Sequence, residues 1–321
     1  VENARLRQKN SMMRENNGGN EMKFVSFLME KQERYGVYDE KQQMIFDVKK
    51  MDRQKNGYSD LPDHLVEALE LGDLFLQKVH TLLDWGRSQI DQQWAFKWEE
   101  VELLAPIPRP RKNVICIGKN YRDHAVELGG ADAVPENLIV FSKAPTTVIG
   151  HLHPIPAYTD VTEALDYEGE LAVIIGKKGK GIKKENALDY VFGYTIINDV
   201  TARDLQKRHT QYFLGKSLDF SCPMGPWIIT KDEVPEPGNL AIETKVNGEV
   251  RQRSNTRHFI FSLEEIIETI SRGMTLEPGD VIATGTPAGV GLGFNPPKLL
   301  KAGDVVEITV EGIGTLRNQV Q

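Results

Sequence analysis

Two cysteines, Cys116 and Cys222, are all that the 321 residues contain, so no disulfide framework is expected to hold the fold. No apolar run approaches the ~18 residues of a membrane span. No apolar stretch follows the N-terminal charges as in a signal peptide, and a cytoplasmic location is expected. There is no basic block: 39 Lys and Arg are interspersed among 46 Asp and Glu, for a formal charge of -7. That balance argues against nucleic acid or an anionic membrane as the main partner. Internal repeats are missing, and so is the regular strand-helix alternation of a doubly wound nucleotide-binding fold. What is present is a 40% hydrophobic content, enough for a substantial core.

The first 21 residues, with "RENNGGNE" among them, are polar and lack apolar periodicity, the pattern of a disordered extension or cloning remnant. Folding is expected to begin at Met22. Residues 22–50 alternate apolar and polar positions as short strands do, and from Leu61 to Gln89 Leu and Val recur at helical spacing, predicting one or two amphipathic helices. Prolines 106, 108 and 110 in "APIPRPRKN" break any helix. They place a boundary near residue 105, with a small α/β domain over 22–105 and a catalytic-sized domain over 106–321. Beyond the boundary the apolar runs are short, β-branched and bounded by Gly, Pro, Asn or Asp. Ser262 and Glu265 in "SLEEIIETIS" fit a capping box, and a weaker helix start is read at Thr201, with Asp204 three residues on. The fold class is α+β with a mainly β catalytic domain.

The segment "LDYEGELAVIIG", residues 165–176, reads as a strand that puts Glu168 and Glu170 side by side on one face. Two carboxylates so close require a positive partner, and a hard divalent cation such as magnesium or manganese prefers carboxylate oxygens. Asp199, at the end of the apolar run "YTIIND", is a third candidate ligand. The competing reading is a solvent-facing strand edge with two glutamates on its wet side. Arg203 and Lys216 offer anion contacts, one as a planar fork and the other as a point charge. "GKS" at 215–217 is no phosphate loop, because Thr210 stands where that motif requires glycine.

His124 and Glu127 are three apart in "NYRDHAVELGG", so on a helix they are neighbours. A carboxylate on one ring nitrogen leaves the other to act as a base, and Gly129 and Gly130 give the segment a place to move. The glycine-rich stretch from Gly285 can present backbone N–H groups to an anion, or form a tight connection. His151 and His153 lack the further partners that zinc needs, and Cys222 reads as a packing thiol.

Together "GKNYRDHAVE", "DYEGELAVIIGK", "FGYTIINDVTARDLQ", "GKSLD", "SCPMGP", "VNGEVRQ" and "LEPGDVIATGTPAGVG" resemble, in order and spacing, the catalytic domain of the fumarylacetoacetate hydrolase family. The likeness runs from about residue 105 to the C-terminus, and the N-terminal part resembles that of bacterial members with a small extra domain. The resemblance implies layered mixed sheets, a homodimer, and Mg2+ or Mn2+ held by Glu168, Glu170 and Asp199. It implies that Arg203, Gln206 and Thr286 bind substrate and that Lys216 stabilises charge developing on a substrate oxygen. It implies that His124 and Glu127 form a water-activating dyad; Asp123 stays outside the ligand set. The expected activity is carbon-carbon bond cleavage in a small 2-oxo acid. Oxaloacetate decarboxylation comes first, with acylpyruvate hydrolysis beside it. Isomerisation or hydration of 2-oxo dienoic diacids is one alternative, and a metabolite-binding scaffold without turnover is another.

Overall fold

The computed structural model describes residues 22–321, and the expected extension over 1–21 lies outside them. Three N-terminal strands come first, β1 (Lys23–Met29), β2 (Gln32–Asp39) and β3 (Met44–Asp47). Helix α1 (Val48–Asn56) was not foreseen: Asp47 caps it through a bond from the Lys50 N–H, and Gly57 ends it at φ 82°, the left-handed position that glycine takes without strain. In the 61–89 stretch a single turn at Leu65–Ala68 precedes α2 (Asp73–Arg87), which buries Phe75, Val79, Leu82 and Leu83. Strand β4 (Ala95–Lys97) follows, and then a two-residue strand at 102–103 that pairs with β1.

The remainder supplies β5 (Val114–Gly118), helix α3 (Arg122–Gly129), β6 (Ile139–Lys143), β7 (Gly169–Ile175), β8 (Val191–Asn198), helices α4 (Arg203–Arg208) and α5 (Phe213–Lys216), and β9 (Cys222–Thr230). It continues with β10 (Ala241–Val246), β11 (Glu249–Asn255), helix α6 (Leu263–Ser271), β12 (Val281–Ala283), β13 (Val305–Val310) and β14 (Gly314–Gln319). In a 12-stranded sheet ten strands run in the order β4-β3-β2-β1-β9-β8-β7-β12-β5-β6, with two-residue strands at 102–103 and 148–149 pairing with β1 and β9 off that path, and a four-stranded sheet runs β11-β10-β13-β14. The large sheet passes across the proline stretch, because β1 pairs antiparallel with β9. One buried cluster accordingly joins Phe24, Phe75 and Val79 to Ala172, Phe192 and Ile228.

The smaller sheet packs on the large one where β7 begins. A Cβ on Gly169 would lie 2.2 Å from Thr244 Oγ1, so only glycine fits between the two glutamates. Helix α6 carries the expected capping box of Ser262 and Glu265. The helix read at Thr201 starts instead at Arg203, after a short strand pairing with 165–166. Thr201 donates its hydroxyl to the Asp199 carbonyl and Asp204 accepts from Thr162, so neither side chain caps that helix. No helix among the described residues is long and apolar enough to cross a membrane.

Candidate metal centre and active site

The antiparallel register of β7 and β8 sets Gly169 opposite Asn198. One step further the Asp199 N–H donates to the Glu168 carbonyl at 2.9 Å. That step brings Glu168, Glu170 and Asp199 together: one carboxylate oxygen from each lies within 4.8 Å of the other two, and all three residues are buried. The whole of β7 is buried as well, which rules out the solvent-facing edge.

Fixed cations surround the cluster. Lys216, at the end of α5, reaches Glu168 Oε2 at 2.7 Å and Asp199 Oδ2 at 2.8 Å. Arg203, opening α4, reaches Glu168 Oε1 at 2.7 Å and, through Nε, Asp166 Oδ2 at 2.8 Å. Lys143, the last residue of β6, reaches Asp199 Oδ1 at 2.9 Å and donates to the Val200 carbonyl. Burial raises the Glu168 carboxyl, but Lys216, Arg203 and His124 outweigh it and hold it at about 2. Among the described residues no cation pairs directly with Glu170: burial, with Asp199 and Glu168 beside it, outweighs Lys216 and pushes its carboxyl well above the ordinary range. Burial works against the charge on Lys216, and Asp199 and Glu168 overcome it, so the ammonium is held above its usual value.

The glycine-rich stretch after β12 does present N–H groups to anions, and those anions are the protein's own. Gly285 donates to Glu170 Oε2 at 2.8 Å, Gly289 to Glu127 Oε1 at 2.9 Å, and Gly291 to Asp166 Oδ1 at 2.7 Å. His124 Nδ1 lies 3.3 Å from Glu127 Oε2 on α3. The Gly289 bond thus fixes the carboxylate that fixes the imidazole. Thr286 donates to the Gly169 carbonyl and accepts from Gln252 Nε2, while Gln206 accepts from Arg203.

A cavity of about 490 Å³ opens over this cluster, lined among others by His124, Glu168, Glu170, Arg203, Gln206, Lys216 and Thr286. Of the residues expected there, Glu127 stands behind His124 and Asp199 behind Lys216; neither lines the cavity itself. Asp123 is exposed. Cys222 is fully buried, its thiol pushed up to about 12 chiefly by that burial. His151 accepts from the Arg317 N–H, and His153 lies 3.5 Å from Glu102.

Three residues of the site were not read from the sequence. Asp166 had a signal, since it continues the i, i+2 alternation of Glu168 and Glu170 backwards. Gln252 holds Gly169 and Thr286 together and lies inside the quoted motif "VNGEVRQ", without a role there. Lys143, 56 residues before Asp199, had none.

A cluster of buried carboxylates at the floor of a pocket, built where two sheets pack and faced by a His–Glu pair, defines an α+β protein with an acidic centre suited to a hard cation. The chain belongs to the fumarylacetoacetate hydrolase family: the family model described as fumarylacetoacetate (FAA) hydrolase C-terminal matches residues 113–321. It is 53% identical over 286 residues to oxaloacetate tautomerase YisK of Bacillus subtilis (strain 168), covering 88% of this chain and 94% of that protein. A solved fumarylacetoacetate hydrolase from Exiguobacterium antarcticum is 45% identical, with a TM-score of 0.77 over 94% of this chain and 99% of that one. Maleylpyruvate hydrolase from Sphingobium sp. SYK-6 is 29% identical, with a TM-score of 0.73 over 93% and 99%.

Proposed function

We propose that this protein is a divalent-metal-dependent enzyme that enolises small 2-oxo acids, with oxaloacetate keto-enol tautomerisation as its first activity. The observation that carries the proposal is the convergence of Glu168, Glu170 and Asp199, the first two lining a cavity whose wall also holds His124. The relative at 53% identity, named for oxaloacetate tautomerisation, favours this reaction over the decarboxylation expected from the sequence. Tautomerisation and decarboxylation share the enolate, and only the second breaks a carbon-carbon bond.

The donor set fits magnesium or manganese. Four carboxylates, Asp166, Glu168, Glu170 and Asp199, face three fixed cations, Lys143, Arg203 and Lys216, and among the described residues Glu170 is the member without a paired cation. Glu168, Glu170 and Asp199 would hold the ion, which when bound supplies Lewis acidity towards the 2-oxo and carboxylate oxygens.

The chain's own residues do the rest. With Nδ1 paired to Glu127, His124 keeps its second nitrogen for the proton on C3 of the substrate. The electron pair of that C–H bond becomes the C2–C3 double bond, and negative charge develops on the 2-oxo oxygen. Two of the three Lys216 N–H donors are engaged by Glu168 and Asp199, leaving one for that oxygen. The proton held on His124, balanced by Glu127, then passes to the enolate oxygen or to water. An acylpyruvate hydrolysis uses the same His124 and Glu127 to activate water, and the maleylpyruvate hydrolase relative favours it as a second activity.

The test follows oxaloacetate enol absorbance and pyruvate release together, with manganese or magnesium, against a chelator-treated sample and the metal alone. Enol-keto interconversion above the metal blank with little pyruvate supports the proposal; pyruvate formed at the same rate returns the protein to a decarboxylase. A homodimer belongs to the same proposal, and sedimentation equilibrium measures it.

A further inference from the structure

We propose that Lys119 is the specificity-determining residue that selects a dicarboxylic 2-oxo acid, by binding the carboxylate remote from the 2-oxo group. The inference rests on the proposed 2-oxo acid site and adds the substrate's other end.

Four cations line the cavity: Lys119, Arg203, Lys207 and Lys216. Arg203 and Lys216 are engaged by Asp166, Glu168 and Asp199. Lys207 lies exposed on α4, where solvent and salt screen a charge contact. Lys119 is half-buried, and no carboxylate among the described residues pairs with it. Asp204, an aspartate that lines the cavity, lies on α4 and is occupied by the Thr162 hydroxyl and the Leu205 N–H. Lys119 is therefore the shielded cation of the cavity with its charge available.

Its backbone is held in an unusual conformation, with φ at 53°, the left-handed region that a lysine enters at a cost of about 1 kcal/mol. The next residue fixes it there. Asn120 is fully buried, donates to the carbonyls of Thr284 and Phe261, and accepts from the Phe261 N–H. Lys119 thus leaves a rigid anchor just before α3, five residues ahead of His124. A 2-oxo acid whose 2-oxo carboxylate faces the ion that Glu168, Glu170 and Asp199 would hold must, for the proposed reaction, bring C3 to His124. The group that C3 carries then lies on the α3 side of the cavity, where Lys119 stands.

A structural role competes with this one. The Lys119 ammonium lies 3.9 Å from the place a Cβ on Gly129 would take, so it is also near the C-terminal end of α3, where a cation is favoured. The experiment separates the two. In metal-loaded protein, Lys119→Met and Lys119→Arg are compared with wild type by kcat/KM for oxaloacetate against pyruvate, the latter followed by methyl deuterium exchange. The same variants are compared by calorimetric Kd for malate against lactate, unreactive analogues that differ by the remote carboxylate. Lys119→Met is expected to lower the oxaloacetate-to-pyruvate ratio of kcat/KM and to raise the malate-to-lactate ratio of Kd, each tenfold or more, and Lys119→Arg to restore most of each. Equal weakening of malate and lactate by Lys119→Met would assign the residue to α3 alone, and no change in either would remove it from the site; both overturn the inference. A wild type that turns over neither acid, yet prefers malate through Lys119, would overturn the proposed reaction and sustain the inference.

Discussion

Asp199 shares its two carboxylate oxygens between Lys143 and Lys216, at 2.9 and 2.8 Å, with all three side chains almost fully buried. Removing one member of such a group strands a charge in a medium that solvates it poorly, typically at a cost of about 3 kcal/mol. Lys143→Met is expected to lose that much in urea unfolding of metal-free protein; a loss below about 1 kcal/mol would mean the pair is not fixing Asp199. Glu168→Gln removes the charge of the carboxylate whose two oxygens Lys216 and Arg203 orient. It is expected to abolish manganese binding by calorimetry along with turnover, and retained manganese affinity would move the metal elsewhere. His151 gives a pH signature of another origin. Burial, with smaller contributions from Arg317 and His153, holds its pKa at about 4 against an ordinary 6.5, in keeping with a neutral ring nitrogen accepting from the Arg317 N–H. Below pH 6.5 the unfolded chain takes a proton that the folded ring refuses, so this contribution is intact above 6.5 and is lost as pH falls to 4. Discounted for partial exposure, the loss is on the order of 2 kcal/mol. The wild-type stability profile is expected to fall more steeply over that window than that of His151→Asn, and parallel profiles would contradict it. At this scale the sequence was legible where chemistry and spacing coincide: Glu168 and Glu170 two apart on a strand, His124 and Glu127 three apart on a helix. Lys143 was not, because a buried lysine at a strand end reads in sequence like any surface one until the sheet order brings it to Asp199.

The elements that shape the site meet at glycines. Gly289 adopts φ 101°, and a Cβ there would lie 2.0 Å from the Arg251 carbonyl oxygen, so both the backbone and its neighbour refuse a side chain. Its N–H is the donor that holds Glu127 behind His124. Gly289→Ala is expected to lower kcat tenfold or more while leaving manganese affinity within about threefold, because the carboxylates of the cluster are carried by β7 and the residues adjoining β7 and β8 rather than by this loop. Equal loss of both would show that the loop supports the metal centre as well. The sequence showed that this stretch could present N–H groups to an anion, without revealing that Glu127, Glu170 and Asp166 were the anions. Helix α6 was legible through Ser262 and Glu265 because a capping box is local. Helix α4 was misplaced by two residues because Thr201 and Asp204 found partners in the 162–166 segment, a contact that no local rule encodes.

Across the whole molecule, the order of strands carries what periodicity along the chain does not. Nothing in residues 23–29 announces that β1 adds to β9, roughly two hundred residues later, so the proline stretch reads as a border while the sheet runs through it. The consequence is mechanical. The Phe24 ring packs, tilted, at 5.3 Å from Phe75 of α2 and at 5.5 Å from Phe192 of β8. Tyr38 lies parallel to Trp227 of β9 at 5.4 Å. Strand β8 ends at Asn198, directly before Asp199, so the strand that supports the carboxylate cluster packs at its other end against the N-terminal part. Phe24→Ala leaves a cavity at that junction and is expected to cost about 4 kcal/mol. If the two parts unfold together, tryptophan fluorescence, dominated by Trp85, Trp94 and Trp98 in the N-terminal part, and far-ultraviolet circular dichroism will report the same lowered midpoint. Manganese, bound by residues of the C-terminal part, will then raise the midpoint of both signals. A variant whose fluorescence transition moves down alone, with the dichroism transition still raised by manganese, would show that β1 rests on β9 without sharing its cooperativity.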